Sequence, residues 1–379
     1  MLFKSKQKTT EEQNSSVIRK PPVDYSLVVI IAMLLCFGLV MVFSASSANA
    51  HYMYGDALYF FKRQLIWAVA GLFVMWLVSR FPYKKIYQFA NLIFVISIIA
   101  ILLVPIIGIE VNGAKRWLGF GSFSFQPSEF VKLTLILFIA KSITVYPERV
   151  QKLGNGYLRY MAIIIIISGL VLLQPHMSGA IVIAAGGVAV LFAAGFKLRY
   201  FVTTFMCAVP ALWGLAVMSP YRFKRITSFL DPFADKLGES WQIVQSLYAI
   251  GSGGLFGLGL GQSRQKFLYI PEPQNDFIYA IICEELGFVG AIFVMFMFML
   301  LIWKGIMIAK KAPDEFSSLV ATGITALIAV QVLMNIAVVT SMMPVTGVPL
   351  PFFSYGGTSL MILLMEMGIL LNISRHIEN

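Results

Sequence analysis

The sequence predicts an all-α integral membrane protein with about ten transmembrane helices. Of its 379 residues, 59% are hydrophobic and only 12% are charged, whereas a soluble domain carries about 25% charged residues. Apolar stretches of roughly 17–25 residues, the length that spans a bilayer, recur along almost the whole chain. One long polar loop, residues 219–276, separates the seventh predicted helix from the eighth.

The chain divides into two parts. Residues 1–24 are polar and basic, which predicts a disordered cytoplasmic tail. Residues 25–379 are predicted to form a single polytopic membrane domain. The first apolar run lacks the cleavage pattern of a signal peptide, so we expect it to remain as a membrane anchor.

The helices are placed from the lengths of the apolar stretches, in chain order. The predicted spans are 25–46, 61–79, 86–107, 127–142, 158–174, 178–196, 200–218, 277–308, 316–340 and 355–373.

The distribution of cations predicts the orientation of these helices, because cytoplasmic connections carry an excess of Lys and Arg. Every second connection is basic. These connections carry Arg80, Lys84, Lys85, Lys141, Arg149, Lys152, Arg159, Lys197, Arg199, Lys304, Lys310 and Lys311. With the basic N-terminus inside, both termini are predicted to be cytoplasmic and the loop 219–276 to lie outside.

The formal net charge of +11 does not predict a nucleic-acid partner, because the cations are scattered between apolar segments and form no single patch. Anionic membrane lipids or a phosphate-bearing lipid substrate fit this distribution better. Neither the cysteines nor the histidines have the spacing of metal ligands, so the residues predict no metal site.

Some cations lie in connections that are predicted to be outside the cell, where Lys and Arg are disfavoured. Lys115 and Arg116 fall in the predicted outer connection between the third and fourth helices, and Arg264 and Lys266 fall in the loop 219–276. This placement predicts phosphate binding. The alternative is that they are solvated charges paired with neighbouring carboxylates.

A pair of charges lies inside the fourth predicted helix, which begins with Gln126, a candidate for substrate binding, and Pro127. Glu129 and Lys132 are spaced i, i+3 and share one face. Intramembrane charges are rare and usually paired. The pair is either a structural ion pair that pins the helix or part of a hydrated cavity, and we favour the cavity. His176, with no other histidine nearby in sequence, is expected to cap a helix or to form hydrogen bonds.

Residues 344–359, PVTGVPLPFFSYGGTS, contain too many prolines and glycines for a helix. Irregular backbone at membrane depth persists only where protein or a water-filled cavity covers it. We therefore expect this segment, including Ser354, to line the same site.

Asp276 lies where the polar loop enters the eighth predicted helix, with Glu272 four residues earlier. Partial desolvation at the outer membrane surface would suit its carboxylate as a general base. Arg264, Lys266 and Arg116 are candidates to balance a diphosphate. This set fits transfer from a lipid-diphosphate donor to a hydroxyl acceptor. The alternative is that Asp276 only caps the eighth helix.

Several motifs spread over nearly the whole chain resemble those of one family. They are NGAKRW (112–117), FQPSEFVKL (125–133), RITSFLDPF (225–233), the long stretch 245–287 and PLPFFSYGGTS (349–359). Together they resemble the SEDS family (shape, elongation, division and sporulation), which includes RodA, FtsW and SpoVE. FtsW and SpoVE are the nearest group.

The resemblance implies a peptidoglycan glycosyltransferase of the bacterial cytoplasmic membrane. Such proteins polymerise lipid II at the outer face with a class B penicillin-binding protein, in division, elongation or sporulation. It implies that Asp276 is the essential acidic residue and that Glu272 and Lys266 match family positions in the same loop. Glu129 and Lys132 match the pair of its fourth helix.

Two positions depart from the family pattern: His176 stands where Asp is common, and Asn275 where Thr is common. The first removes a carboxylate, which puts in doubt any metal site that used it. No cofactor is therefore assigned, although a divalent cation, Mg²⁺ or Mn²⁺, is an alternative to Lys266 and Arg264 for stabilising a leaving diphosphate.

Two other functions remain alternatives to the glycosyltransferase. A lipid II flippase would bind the same substrate, but a transporter predicts binding groups near the bilayer midplane and often an inverted repeat, and the sequence contains no internal repeat. A non-catalytic scaffold of the division or sporulation machinery would not need the carboxylate and cations of residues 264–276.

Overall fold

The computed structural model describes residues 23–377 except 112–113, 121–122, 175, 218–228, 230, 234–237, 239 and 268. All but the last two residues of the predicted tail 1–24 lie outside the described residues. So does most of the motif 225–233.

Within the described ranges the chain forms eleven α-helices. They are α1 (Tyr25–Tyr54), α2 (Tyr59–Arg80), α3 (Tyr83–Ile107), α4 (Pro127–Val145), α5 (Arg159–Leu172), α6 (Met177–Ala193), α7 (Leu198–Val217), α8 (Trp241–Gly253), α9 (Ile278–Lys311), α10 (Glu315–Val339) and α11 (Gly357–Ser374).

The predicted all-α integral membrane fold is confirmed. By length and composition, seven helices of the described chain can cross a membrane: α1, α2, α3, α5 with its preceding turn, α9, α10 and α11, and α6 is a shorter apolar helix. Each predicted span overlaps one of α1–α7 or α9–α11. The count of ten spans stays a prediction.

Two elements were not predicted. A three-stranded antiparallel sheet joins α3 to α4 and consists of β1 (Ile109–Val111), β2 (Ala114–Phe120) and β3 (Phe123–Phe125). Its aromatic and β-branched residues favour strands, but β1 and β3 have only three residues each, and the seven residues of β2, AKRWLGF, do not alternate between apolar and polar. The second element is α8, which lies within the predicted polar loop and packs on α9.

Helix α9 is broken near its first third. Gly287 has φ 64° and ψ −163°, which no helix contains. The backbone groups that the break releases are taken up by the chain after α8: Phe288 N donates to Gly254 O (2.9 Å), and Leu258 N donates to Glu284 O (3.0 Å). A broken helix at membrane depth is stable only with such compensation. The segment 254–266 therefore packs alongside α9 as a re-entrant loop.

Successive membrane helices run in opposite directions, so the connections α1–α2, α3–α4, α5–α6, α7–α9 and α10–α11 lie at one end of the helical bundle. The irregular segment 340–356 before α11 lies at this end, and Phe353 within it is fully buried. A cavity opens among these connections.

Candidate functional site

The cavity has a volume of about 1000 Å³, at the upper end of the usual range for ligand sites. Predicted site residues from distant parts of the chain line it together. They are Arg116, Gln126, Glu129, Lys132, Glu272, Asp276 and Ser354. Lys115, Arg264 and Lys266 are not among the lining residues.

The backbone before α9 is tied to the irregular segment before α11. Ser354 Oγ donates to Asn275 O (2.6 Å), and Tyr355 N donates to Gln274 O (2.8 Å). These bonds hold the end of the polar loop in place before α9. They also fit the irregular backbone of residues 349–356, because Ser354 Oγ and Tyr355 N donate to the neighbouring loop and not within a helix.

Asp276 is held at the mouth of the cavity. Its carbonyl accepts a hydrogen bond from Asn335 Nδ2 (2.7 Å), and the same amide also donates to Val348 O (2.7 Å). Gly347 has φ +69°, and a Cβ there would lie 3.6 Å from Asp276 Oδ2. The absence of a side chain at Gly347 leaves the carboxylate open to the cavity.

Asp276 directly precedes the start of α9. Phe277 is the N-cap residue of this helix, and its side chain forms no capping hydrogen bond. Asp276 precedes the cap, and its partly exposed side chain lines the cavity instead.

Deeper in the cavity lies the intramembrane ion pair. Glu129 Oε2 accepts from Lys132 Nζ (2.8 Å) and from Ser359 Oγ of α11 (2.9 Å). The two charged side chains are 8% and 5% exposed. The pair thus joins α4 to α11 and also lines the cavity, so the two interpretations of the sequence are not exclusive.

His176 precedes α6 beside this pair. Its Nδ1 lies 3.2 Å from Ser128 Oγ and 3.4 Å from Gln126 Nε2. Burial lowers the pKa of His176 to about 4, an effect that the nearby Glu129 carboxylate opposes. The ring is therefore neutral at pH 7 and acts as a hydrogen-bonding group, as the sequence predicted.

Two arginines line the cavity. Arg116, on β2, was predicted, whereas Arg63 of α2 was missed. The Arg63 guanidinium lies over the ring of Tyr59 at 4.6 Å and contacts the Tyr355 hydroxyl. A signal for it existed, because Arg63 stands at the predicted outer end of the second span, where cations are disfavoured.

Lys266 lies elsewhere, in the re-entrant loop. Its Nζ donates to Glu285 Oε1 (3.0 Å) and to Gly261 O (2.6 Å), and it is 3% exposed. The backbone N–H of Arg264 donates to Glu284 Oε1 (2.9 Å). These contacts hold the loop against α9. A substrate-binding role for Lys266 and Arg264 stays a prediction, as does one for the exposed Lys115 opposite Glu110 in the sheet.

Three further polar side chains line the cavity that were not predicted from the sequence: Gln331 of α10, and Thr358 and Glu366 of α11. Each is buried. Their inward orientation depends on how the helices are rotated, which a run of apolar residues does not reveal.

The described residues contain no group of three or more His, Cys, Asp or Glu side chains that would hold a metal ion by itself. Glu272 and Asp276 line the mouth together. One or two carboxylates suffice for Mg²⁺ where substrate phosphates complete its coordination. The residues therefore fit a cation shared with a diphosphate.

The chain is similar to known proteins over almost its whole length. The sequence model of the family described as "Cell cycle protein", which groups FtsW, RodA and SpoVE, matches residues 25–379. Stage V sporulation protein E of Bacillus subtilis (strain 168) is 44% identical over 360 residues, 94% of this chain and 98% of that protein. A probable peptidoglycan glycosyltransferase FtsW of Trichlorobacter lovleyi is 44% identical over 368 residues, 96% and 97% of the two chains.

Solved structures share the fold. One is from work on the structural coordination of polymerization and crosslinking by a peptidoglycan synthase complex; a chain of it matches with a TM-score of 0.79 at 29% identity, over 93% of this chain and 98% of that one. The rod shape determining protein RodA of Thermus thermophilus matches with a TM-score of 0.70 at 27% identity, over 94% and 98%.

Proposed function

The chain belongs to the FtsW/RodA/SpoVE family of cell cycle proteins, and on this premise we propose that it is a peptidoglycan glycosyltransferase that polymerises lipid II. The observation that carries the proposal is the Asp276 carboxylate at the mouth of a cavity of about 1000 Å³, on a backbone that the Asn335 side chain holds in place. A cavity of that size, open where the polar loop meets the helical bundle, suits a large lipid-linked saccharide.

The positive-inside pattern supports an orientation with both termini in the cytoplasm of a bacterium and the cavity facing outward. The protein is then a multi-pass protein of the cytoplasmic membrane that meets lipid II at its outer face. Membrane lipids surround it, and nucleic acid has no part in the reaction.

In the proposed reaction, Asp276 accepts the proton of the 4-hydroxyl of the acceptor GlcNAc. The oxygen attacks C1 of the donor MurNAc, and the bond between C1 and the diphosphate oxygen breaks. The lipid diphosphate leaves with the electron pair. Attack opposite an α-linked diphosphate inverts C1 and forms a β-1,4 bond.

Arg63 and Arg116 line the cavity and are suited to stabilise the developing charge of the leaving diphosphate. A guanidinium group can donate two parallel hydrogen bonds to phosphate oxygens. Glu272 is placed to hold a divalent cation together with substrate phosphates. When bound, such a cation would neutralise further charge on the diphosphate.

The partner in this proposal is a class B penicillin-binding protein, which crosslinks the strands. A similar chain is found in a peptidoglycan synthase complex of polymerization and crosslinking. The process served is division, elongation or sporulation.

The test is polymerisation of purified lipid II by the reconstituted chain and partner, with crosslinking blocked by a β-lactam. We expect glycan strands from wild type and none from Asp276→Asn, which should still fold and bind lipid II. Strands from the variant at the wild-type rate would reject Asp276 as the base. No strands from folded, bound wild type would favour a flippase, if lipid II crosses vesicles, or a scaffold, if it does not.

A further inference from the structure

We propose that the floor of the cavity, defined by Gln331, Thr358 and Glu366, is a binding subsite for the N-acetyl sugar whose hydroxyl Asp276 deprotonates. The three side chains are 7%, 1% and 3% exposed and all line the cavity. The inference rests on the proposed function, because it assigns part of the same substrate to named residues.

These three groups lack hydrogen-bond partners among the described residues. Thr358 Oγ1 is buried and has none. Neither Gln331 nor Glu366 makes a hydrogen bond or an ion pair with any residue that the structure describes. A buried polar group left without a partner costs about 1–3 kcal/mol. Thr358 Oγ1 carries this cost, and the side chains of Gln331 and Glu366 line the cavity beside it, which points to a ligand that bonds all three.

The groups around the floor favour a neutral ligand group. The Lys132 ammonium and the Glu129 carboxylate beside these residues pair with each other at 2.8 Å, so the pair leaves no free charge for a charged ligand group to bind. The amide of Gln331 both donates and accepts, and so does the hydroxyl of Thr358. Hydroxyl and amide groups, the groups of an N-acetyl sugar, match this set.

The depth of the floor below Asp276 matches the size of a sugar ring. Asn335, which holds the backbone of Asp276, lies four residues along α10 from Gln331. Four residues of α-helix span about 6 Å, so the floor begins roughly one sugar ring below the carboxylate. A sugar whose 4-hydroxyl meets Asp276 carries its acetamido group on C2, two ring carbons away, so this group can extend towards Gln331.

The test measures binding without turnover, in the Asp276→Asn background. Two probes are compared, lipid II and undecaprenyl diphosphate, which lacks the sugars. We expect Gln331→Met and Thr358→Val each to weaken lipid II binding by about three- to tenfold, the effect of one lost hydrogen bond, and to leave undecaprenyl diphosphate binding unchanged. Equal weakening of both probes, or no weakening, would overturn the proposal.

The matched control is Thr325→Val, because that buried hydroxyl lies on the same helix as Gln331, bonds its own backbone at Ala321 O (2.7 Å) and does not line the cavity. It should bind both probes as wild type does. Melting curves confirm that every variant folds.

Lipid II carries amide groups both in its N-acetyl sugars and in its peptide stem. A third probe, lipid II without the peptide stem, distinguishes these two sources. Retention of the Gln331→Met effect supports the sugar, and its disappearance assigns the floor to the peptide and overturns the proposal as stated. With the partner present and Asp276 intact, the same variants should raise KM more than they lower kcat. If wild type polymerises lipid II and the variants bind it normally, only the subsite proposal is rejected. If wild type cannot polymerise lipid II, the proposed function is rejected.

Discussion

Replacing Lys266 by Met tests whether this lysine holds the fold or binds substrate. Lys266 Nζ lies 3.0 Å from Glu285 Oε1, and the two side chains are 3% and 0% exposed. Breaking a buried ion pair by removing one partner costs about 3–5 kcal/mol, because an uncompensated charge remains. In the variant, Glu285 keeps hydrogen bonds from Ser44 Oγ and Ser263 N. We therefore expect the free energy of unfolding to fall by the lower end of this range, about 3 kcal/mol.

The assay is the free energy of unfolding in mixed micelles as the fraction of SDS is raised. The double variant Lys266→Met/Glu285→Gln removes the stranded charge and should recover most of the loss. Lys62→Met is the control, because its ion pair with Asp56 is exposed and exposed pairs contribute little.

Binding of undecaprenyl diphosphate supplies the second measurement. If Lys266 acts only through Glu285, the folded fraction of Lys266→Met binds this ligand as wild type does. A variant with wild-type stability and at least tenfold weaker binding would refute the structural reasoning. It would instead support the diphosphate role that the sequence suggested.

Three further outcomes are expected. Asn335→Leu, which removes the donor to the Asp276 carbonyl, should lower stability by about 1–3 kcal/mol and slow lipid II polymerisation. Gly287→Ala should reduce the folded yield, because φ is +64° and the Cβ would meet backbone atoms at 2.3 Å, whereas Gly169→Ala, with open space around it, should not. Because the pKa of His176 is lowered to about 4, stability should be full above pH 6.5 and fall by roughly 3 kcal/mol towards pH 4. His176→Gln should flatten that pH dependence, and an unchanged profile would contradict the assignment.

Much of the site was visible in the sequence, because charges and irregular backbone stand out in an apolar chain. Glu129 and Lys132 were expected to line a cavity, and they do so while also joining α4 to α11. Asp276 was expected at the point where the loop meets a helix, and it lies there. In these cases the local contrast in polarity carried the information.

The partner of Lys266 was not predictable in the same way. Glu285 is nineteen residues further along the chain, and the contact exists only because a break at Gly287 lets the re-entrant loop pack beside α9. A single glycine in a long apolar stretch does not by itself predict a break in the helix. The sequence therefore grouped Lys266 with the phosphate-binding candidates on the basis of charge alone.

The amino-acid sequence by itself determined that the chain is an integral membrane protein, approximately where its helices lie and to which family it belongs. The first two properties follow from local composition and length, because a bilayer requires long apolar segments with satisfied backbone groups, and the family follows from the resemblance of its motifs. The tertiary structure decided which polar groups share the cavity. It placed Arg63, Gln331 and Glu366 inside and Lys266 outside, since the direction of each side chain depends on helix rotation and on contacts between segments distant in the chain.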